Sequence, residues 1–220
     1  MSWKAEGSSA VVVARRFNVT AARQYWLVKH GIIGEDDLLN GSLFSDTVVQ
    51  VLTKRFNLLV LPDQLNFVPA VDAAEEQALI VGTLGKLIEK LPHVPYKALG
   101  LNFAWHLAPD DRDTARVTKE LFFVPDRPLF QEFSGPDARF GAYLSKDYDG
   151  FRLKLEVHPV SVEPPSGGNQ PTGHVVRFVF NFHRDLAEDD TAADILKQLA
   201  RWNELRSAAE RIVKTINTGR

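Results

Sequence analysis

Apolar positions along this chain recur in two rhythms, and the alternation between them outlines the fold. From Phe151 to Pro159 every second residue is apolar: Phe151, Leu153, Leu155 and Val157 share one face, while Arg152, Lys154, Glu156 and His158 share the other. That is a strand with one buried and one wet side. From Ala192 to Ile216 the spacing changes. Ile195, Leu199, Trp202, Leu205, Ala209, Ile212 and Ile216 form a single helical stripe with charges opposite, which predicts a long C-terminal helix. Packing on its own sheet explains such a stripe better than an oligomer seam.

The other elements follow the same logic. Ala10–Phe17 reads as a first strand, followed by a helix over Ala21–His30 capped by Thr20 and stopped at Gly31. Thr47–Thr53 fits either period. Phe56–Leu61 and Leu65–Val68 flank Pro62-Asp63-Gln64 as a hairpin, and Asp72 caps an amphipathic helix over Ala73–Leu91 that Pro92 and Pro95 end. Tyr96–His106 is a strand, Asp113–Leu121 a helix, and Phe122–Gly135 a proline-bearing irregular stretch with aromatic anchors. Phe140–Ser145 pairs with Phe151–Pro159 around Lys146–Gly150, where Asp149-Gly150 is a hairpin signal. A mobile loop at about 161–173, rich in Gly and Pro, precedes a last strand, His174–His183. The expected architecture is α+β: one domain over 1–220, with a largely antiparallel sheet, helices packed on one side and a long C-terminal helix.

An internal echo points to candidate chemistry. Residues 101–111 and 180–190 agree at six of eleven positions, through Asn102/Asn181, Phe103/Phe182, Leu107/Leu186, Ala108/Ala187, Asp110/Asp189 and Asp111/Asp190. Each copy ends a strand. Strand parity sets Asn102 and His106, and in the later strand Asn181, His183 and Asp185, opposite the aromatic faces. If the two strands are neighbours in register, these five residues gather into a pocket in which His106 or His183 acts as a base assisted by Asp185, Asp110 or Asp189, with Asn102 and Asn181 binding ligand. The simpler reading is that Asn and His bond loose backbone groups at strand ends while the paired aspartates cap helices.

Composition narrows the chemistry. The chain has no cysteine, so disulfides, thiolate nucleophiles and thiolate metal sites are excluded. No His-x-His or His-Glu-x-x-His spacing suggests a metal, no Gly-x-Ser-x-Gly elbow suggests a hydrolase, and no glycine-rich fingerprint suggests a nucleotide. No cofactor is expected. Pro136-Asp137 followed by Glu156 is the order of a metal-dependent nuclease only superficially, because Lys154-Leu155-Glu156 runs opposite to the acidic-x-lysine element. A net charge of -2, with 26 basic and 28 acidic residues, disfavours nucleic acid. The N-terminus lacks the pattern of a signal peptide, and no apolar run approaches the roughly 18 residues that span a bilayer. A cytoplasmic location without membrane contact is expected. The patterns Asn18-Val19-Thr20 and Asn40-Gly41-Ser42 then read as turn residues rather than glycosylation sites.

The order of elements resembles a sporadically distributed, functionally uncharacterised bacterial α+β family. It is carried by a strand, the hairpin around residues 58–67, an amphipathic helix, the Tyr96–Phe103 strand, later antiparallel strands and a Trp-bearing final helix. The resemblance implies an α+β fold and a prokaryotic origin, with no catalytic residues to transfer. Aromatic anchors without a catalytic signature favour a non-enzymatic interaction or assembly subunit, working through a protein partner or self-association. The alternative is a small-molecule-binding protein or hydrolytic enzyme using His106, His183 and Asp185.

Overall fold

The computed structural model describes residues 2–108, 113–133, 135, 138–162, 173–188 and 191–218. Among these residues nine strands form one sheet in the order β2-β3-β4-β5-β1-β6-β9-β8-β7. In chain order the elements are β1 (Ser2–Ala14), α1 (Gln24–Lys29), β2 (Leu43–Phe44), β3 (Val49–Leu52), β4 (Phe56–Val60), β5 (Gln64–Pro69), α2 (Ala73–Leu79) and α3 (Lys86–Glu89). There follow β6 (Tyr96–Ala108), α4 (Thr114–Phe122), α5 (Pro128–Gln131), β7 (Ala142–Tyr148), β8 (Phe151–Val162), β9 (Gly173–Asp185), α6 (Ala192–Leu199) and α7 (Trp202–Thr218). The α+β class, the antiparallel sheet and the C-terminal helix are as the sequence leads one to expect.

The strand order contains a repeat. A strand, a helix, a three-stranded meander and a helix run from β1 through β3-β4-β5 to α2, and again from β6 through β7-β8-β9 to α7. In the sheet the two sets lie in mirrored order, β3-β4-β5-β1 and then β6-β9-β8-β7. By this correspondence β6 matches β1 and β9 matches β5, so the echo at the ends of β6 and β9 does not join equivalent strands.

The chain folds into two compact units that divide the long strands. The first comprises residues 1–7, 103–181 and 209–220. Here Phe103, Trp105, Phe178 and Phe180 are buried, with Trp105 edge-on to Phe180 at 5.5 Å and Trp3 edge-on to Phe178 at 5.6 Å between centroids. β7 and β8 pair from Ala142↔Val157 to Tyr148↔Phe151. Their turn is Asp149-Gly150, with φ of 43° and 81°, the left-handed pair that a tight hairpin needs. Lys146 and Asp147 therefore belong to the strand rather than the turn.

Residues 8–102 and 182–208 make up the second unit. Its hairpins are antiparallel, with Val60↔Leu65 closing the β4-β5 turn and Ala10↔Phe67 joining β1 to β5. Thr47–Thr53, ambiguous by period, contains the strand β3. α2 continues through a π-helical segment at Ile80–Gly85 into α3, so the expected helix is present with a widened middle turn. Gly85 sits inside that turn, where a Cβ would come within 3.2 Å of Leu196 Cδ2 on α6. Trp202, Leu205, Leu199 and Ile195 of the C-terminal stripe are buried.

Several boundaries differ from the pattern. β1 begins at Ser2, through residues too polar to announce a strand. Its even positions Ser8–Ala14 are buried, whereas in its first half the odd-numbered Trp3 packs on Phe178. The helix expected over Ala21–His30 is split into a 3-10 turn at Val19–Ala22 and α1 by the extended Arg23, and Thr20 bonds Asn18 rather than capping. Gly31, at φ 62°, stops α1 as expected. Asp72 holds the N-cap position of α2 through its backbone carbonyl, which accepts from Glu75 N–H at 2.8 Å. The C-terminal helix is interrupted at Ala200-Arg201. Residues 163–172 of the expected loop lie outside the described residues.

Candidate functional site

In the first unit, the polar face of the sheet carries a three-residue polar cluster. Arg177 Nε on β9 donates to Glu6 Oε2 on β1 at 2.6 Å, and His106 Nε2 on β6 lies 3.1 Å from the same oxygen. Alternation places Arg177 and His106 opposite the buried aromatics of their own strands. One carboxylate oxygen thus serves a guanidinium and an imidazole at once, in a setting where all three side chains are partly covered. Asn181 also belongs to this unit and is half-buried.

The remaining candidates belong to the second unit. His183 Nε2 lies 3.0 Å from Asp185 Oδ1, two residues along β9 and hence on the same face. Asn102 Nδ2 donates to Ser9 Oγ at 3.1 Å. The structure therefore joins His183 to Asp185 and gives His106 to Glu6. The two histidines have different partners in different units.

Chemically, the two arrangements are unequal. Asp185 is almost fully exposed, so its hold on His183 is a solvated pair of the kind that contributes little to stability, although it orients the ring. Glu6 is more enclosed, and its Oε2 engages Arg177 Nε and His106 Nε2 together. Among the described residues no group of three or more His, Asp or Glu side chains is placed to hold a metal ion. Asp110, Asp111, Asp189, Asp190 and Asp137 lie outside the described residues. The helix caps that are described fall elsewhere: Asp113 accepts from Ala115 N–H at 3.1 Å to start α4, and Asp194 accepts from Thr191 N–H at 2.8 Å to start α6.

Clefts open at other residues. In the first unit a cleft of about 480 Å³ is lined by Asp113, Arg139, His158, Ser161 and His174, and Ser161 Oγ lies 3.2 Å from His174 Nδ1. Ser161 ends β8 and His174 begins β9, and the sequence signals the cleft only through the parity of His158. Gly141 forms part of its wall and admits no side chain, since a Cβ would lie 2.6 Å from the Val157 carbonyl. In the second unit a shallower cleft of about 900 Å³ surrounds the Arg23–Asp46 ion pair, 2.5 Å long, and the exposed Tyr25.

Glu6 and Glu76 are the polar residues that sequence reasoning missed. Glu76 is buried in the second unit, where Trp202 Nε1 donates to Oε2 at 2.9 Å and Arg206 at 2.5 Å. Glu76 sits three residues before the buried Leu79 and so shares its face of α2. Burial also pushes the Tyr96 phenol upward, while its O–H donates to Leu91 C=O at 2.9 Å.

Fold and polar surface together define an α+β protein whose described residues build a nine-stranded sheet, with a partly covered Glu6–Arg177–His106 cluster and a solvated His183–Asp185 pair at residues the sequence nominates. Comparison of the chain with protein-family models, curated proteins and solved structures finds no match.

Proposed function

We propose that this chain is a non-enzymatic interaction or assembly subunit of a prokaryotic cytoplasmic complex, acting through a protein partner or through self-association. The observation that carries this reading is the distribution of exposed apolar side chains. Among the described residues, six of the eleven exposed large hydrophobics lie between residues 121 and 144: Leu121, Val124, Leu129, Phe133, Tyr143 and Leu144. Isolated exposed apolar residues are ordinary; their concentration in one stretch of the chain supports an association role, carried by Leu121, Val124, Leu129 and Phe133, because Tyr143 and Leu144 follow one another in a strand and face opposite ways. In the same unit Phe123 and Phe140 form an aromatic anchor, 5.2 Å apart and covered by Lys119, so the stretch has a fixed base.

A second reading rests on the His183–Asp185 pair, which has the separation of an oriented general base and supports a small-molecule-binding protein or hydrolytic enzyme using His106, His183 and Asp185. The two readings divide on variants. His106→Ala/His183→Ala/Asp185→Ala should leave the mass of the native assembly unchanged, whereas Leu129→Ser/Phe133→Ser should reduce it, both followed by sedimentation velocity. Loss of ligand binding or turnover in the triple variant, with its fold preserved by circular dichroism, would overturn the assembly reading in favour of the second.

A further inference from the structure

Two exposed turns begin with an asparagine that precedes Ser or Thr by two residues, and they are chemically unlike. At the first, Asn18 Oδ1 accepts from Thr20 Oγ1 at 2.7 Å, and the next residue is the buried, β-branched Val19. The Asn18 side chain is held, and the amide after it carries a bulky neighbour. At the second, Asn40 is followed by Gly41, the one Asn-Gly step in the sequence. Both residues are exposed, and Gly41 has φ of 96°. Among the described residues neither the Asn40 side chain nor the Gly41 N–H makes a hydrogen bond. With no Cβ on Gly41, no side chain stands over that nitrogen.

We propose that Asn40 is a modification site, at which the chain deamidates itself through a succinimide formed with Gly41. The Gly41 nitrogen passes its proton to water and attacks Asn40 Cγ. The N–Cγ bond forms, the Cγ–Nδ2 bond breaks, and Nδ2 leaves as ammonia with a proton returned from water. One further water then opens the ring. Opening at Cγ gives an ordinary aspartyl linkage, and opening at the backbone carbonyl gives an isoaspartyl linkage, in which the chain runs through Cγ. Water is the only co-reactant. Asparagine is among the thermally labile side chains, and the other turns and strands protect theirs. Asn57 and Asn66, for example, lie within β4 and β5 and precede the buried Leu58 and Phe67.

The turn is placed where the change is felt. Leu39 N–H donates to Leu52 C=O at 2.8 Å, Leu52 N–H donates to Ser42 Oγ at 3.1 Å, and Ser42 Oγ donates to Leu39 C=O at 2.9 Å. Asn40 and Gly41 thus bridge two residues fastened to the end of β3, immediately before β2. An isoaspartyl linkage inserts one more backbone carbon into that bridge and loosens its hold on Leu52. Either product also adds a carboxylate, which takes the formal net charge from -2 to -3.

The full-length protein, incubated for weeks at physiological temperature and mildly alkaline pH, tests the site. Trypsin cuts after Lys29 and Lys54, and the fragment between contains Asn40 as its one asparagine. That fragment should gain one mass unit and separate into two products, one of them labelled by an isoaspartyl methyltransferase, while the fragment bearing Asn18 stays unchanged. Isoelectric focusing should show a new acidic band that is absent from Asn40→Gln, whose longer side chain must close a larger ring. In the isoaspartyl product Leu52 N–H should exchange faster with deuterium. An intact Asn40, over a period in which a free peptide of residues 36–45 converts fully, would overturn the proposal, as would an equally strong acidic band in Asn40→Gln. Unchanged exchange at Leu52 in the isoaspartyl product would overturn the loosening of the turn.

Discussion

The two compact units use their buried glutamate and their exposed one in opposite ways. In the second unit Glu76 is enclosed and fully engaged by Trp202 and Arg206, so helix α2 is fastened to the start of α7 by charge-assisted bonds inside a packed core. In the first unit Glu6 lies on a half-open sheet face and ties β1 to β6 and β9 through Arg177 and His106, while large apolar side chains between residues 121 and 144 remain at the surface. Burial makes the first arrangement indispensable to folding, because removing one partner strands the others away from water. Solvent makes the second dispensable. The comparison separates a polar residue enclosed in a core from one left on a half-open face.

The largest expected effect breaks that comparison if it fails. Glu76→Ala leaves Arg206 and the Trp202 N–H unpaired in the core and should cost about 3–5 kcal/mol in denaturant unfolding, whereas Glu6→Ala, on partly solvated partners, should cost no more than about 1 kcal/mol. Equal losses would erase the distinction. Next in size is Gly141→Ala in the first unit. Its Cβ would press on the Val157 carbonyl, and a shift of the backbone there should cost about 1–3 kcal/mol by thermal unfolding while leaving the second unit's packing intact.

The smallest effect is a pH dependence in the second unit. The backbone N–H of Thr191, and then its hydroxyl, hold the Asp194 carboxyl below the usual aspartate range. A carboxyl with a lowered folded pKa contributes stability that is fully present above its unfolded value, about 4, and is lost as pH falls through the lower folded value. Asp194→Asn should therefore lower stability slightly near neutrality and flatten the profile below about pH 4, where wild type and variant converge, measured by unfolding across that range. An unchanged profile would remove the capping bond from the account.

Much of the scaffold was legible because it obeys one period at a time. The alternation of β8, the Asp149-Gly150 turn and the stripe from Ile195 to Leu205 each follow from spacing alone. The N-terminal half of β1 was not, because Ser2–Gly7 alternates no apolar residues and is held by partners distant in sequence, among them Phe178 and Arg177. For the candidate site, parity put His183 and Asp185 on one face, which their 3.0 Å contact reflects. Parity cannot reveal which strand comes next, so Glu6, the partner of His106, was invisible.

The central claim is that this chain works by association, and the native mass of the full-length protein tests it most directly. Sedimentation velocity over a range of micromolar concentrations should give a concentration-dependent species heavier than the 24.6 kDa monomer. A single monomeric boundary at every concentration, with no partner bound, would contradict the account.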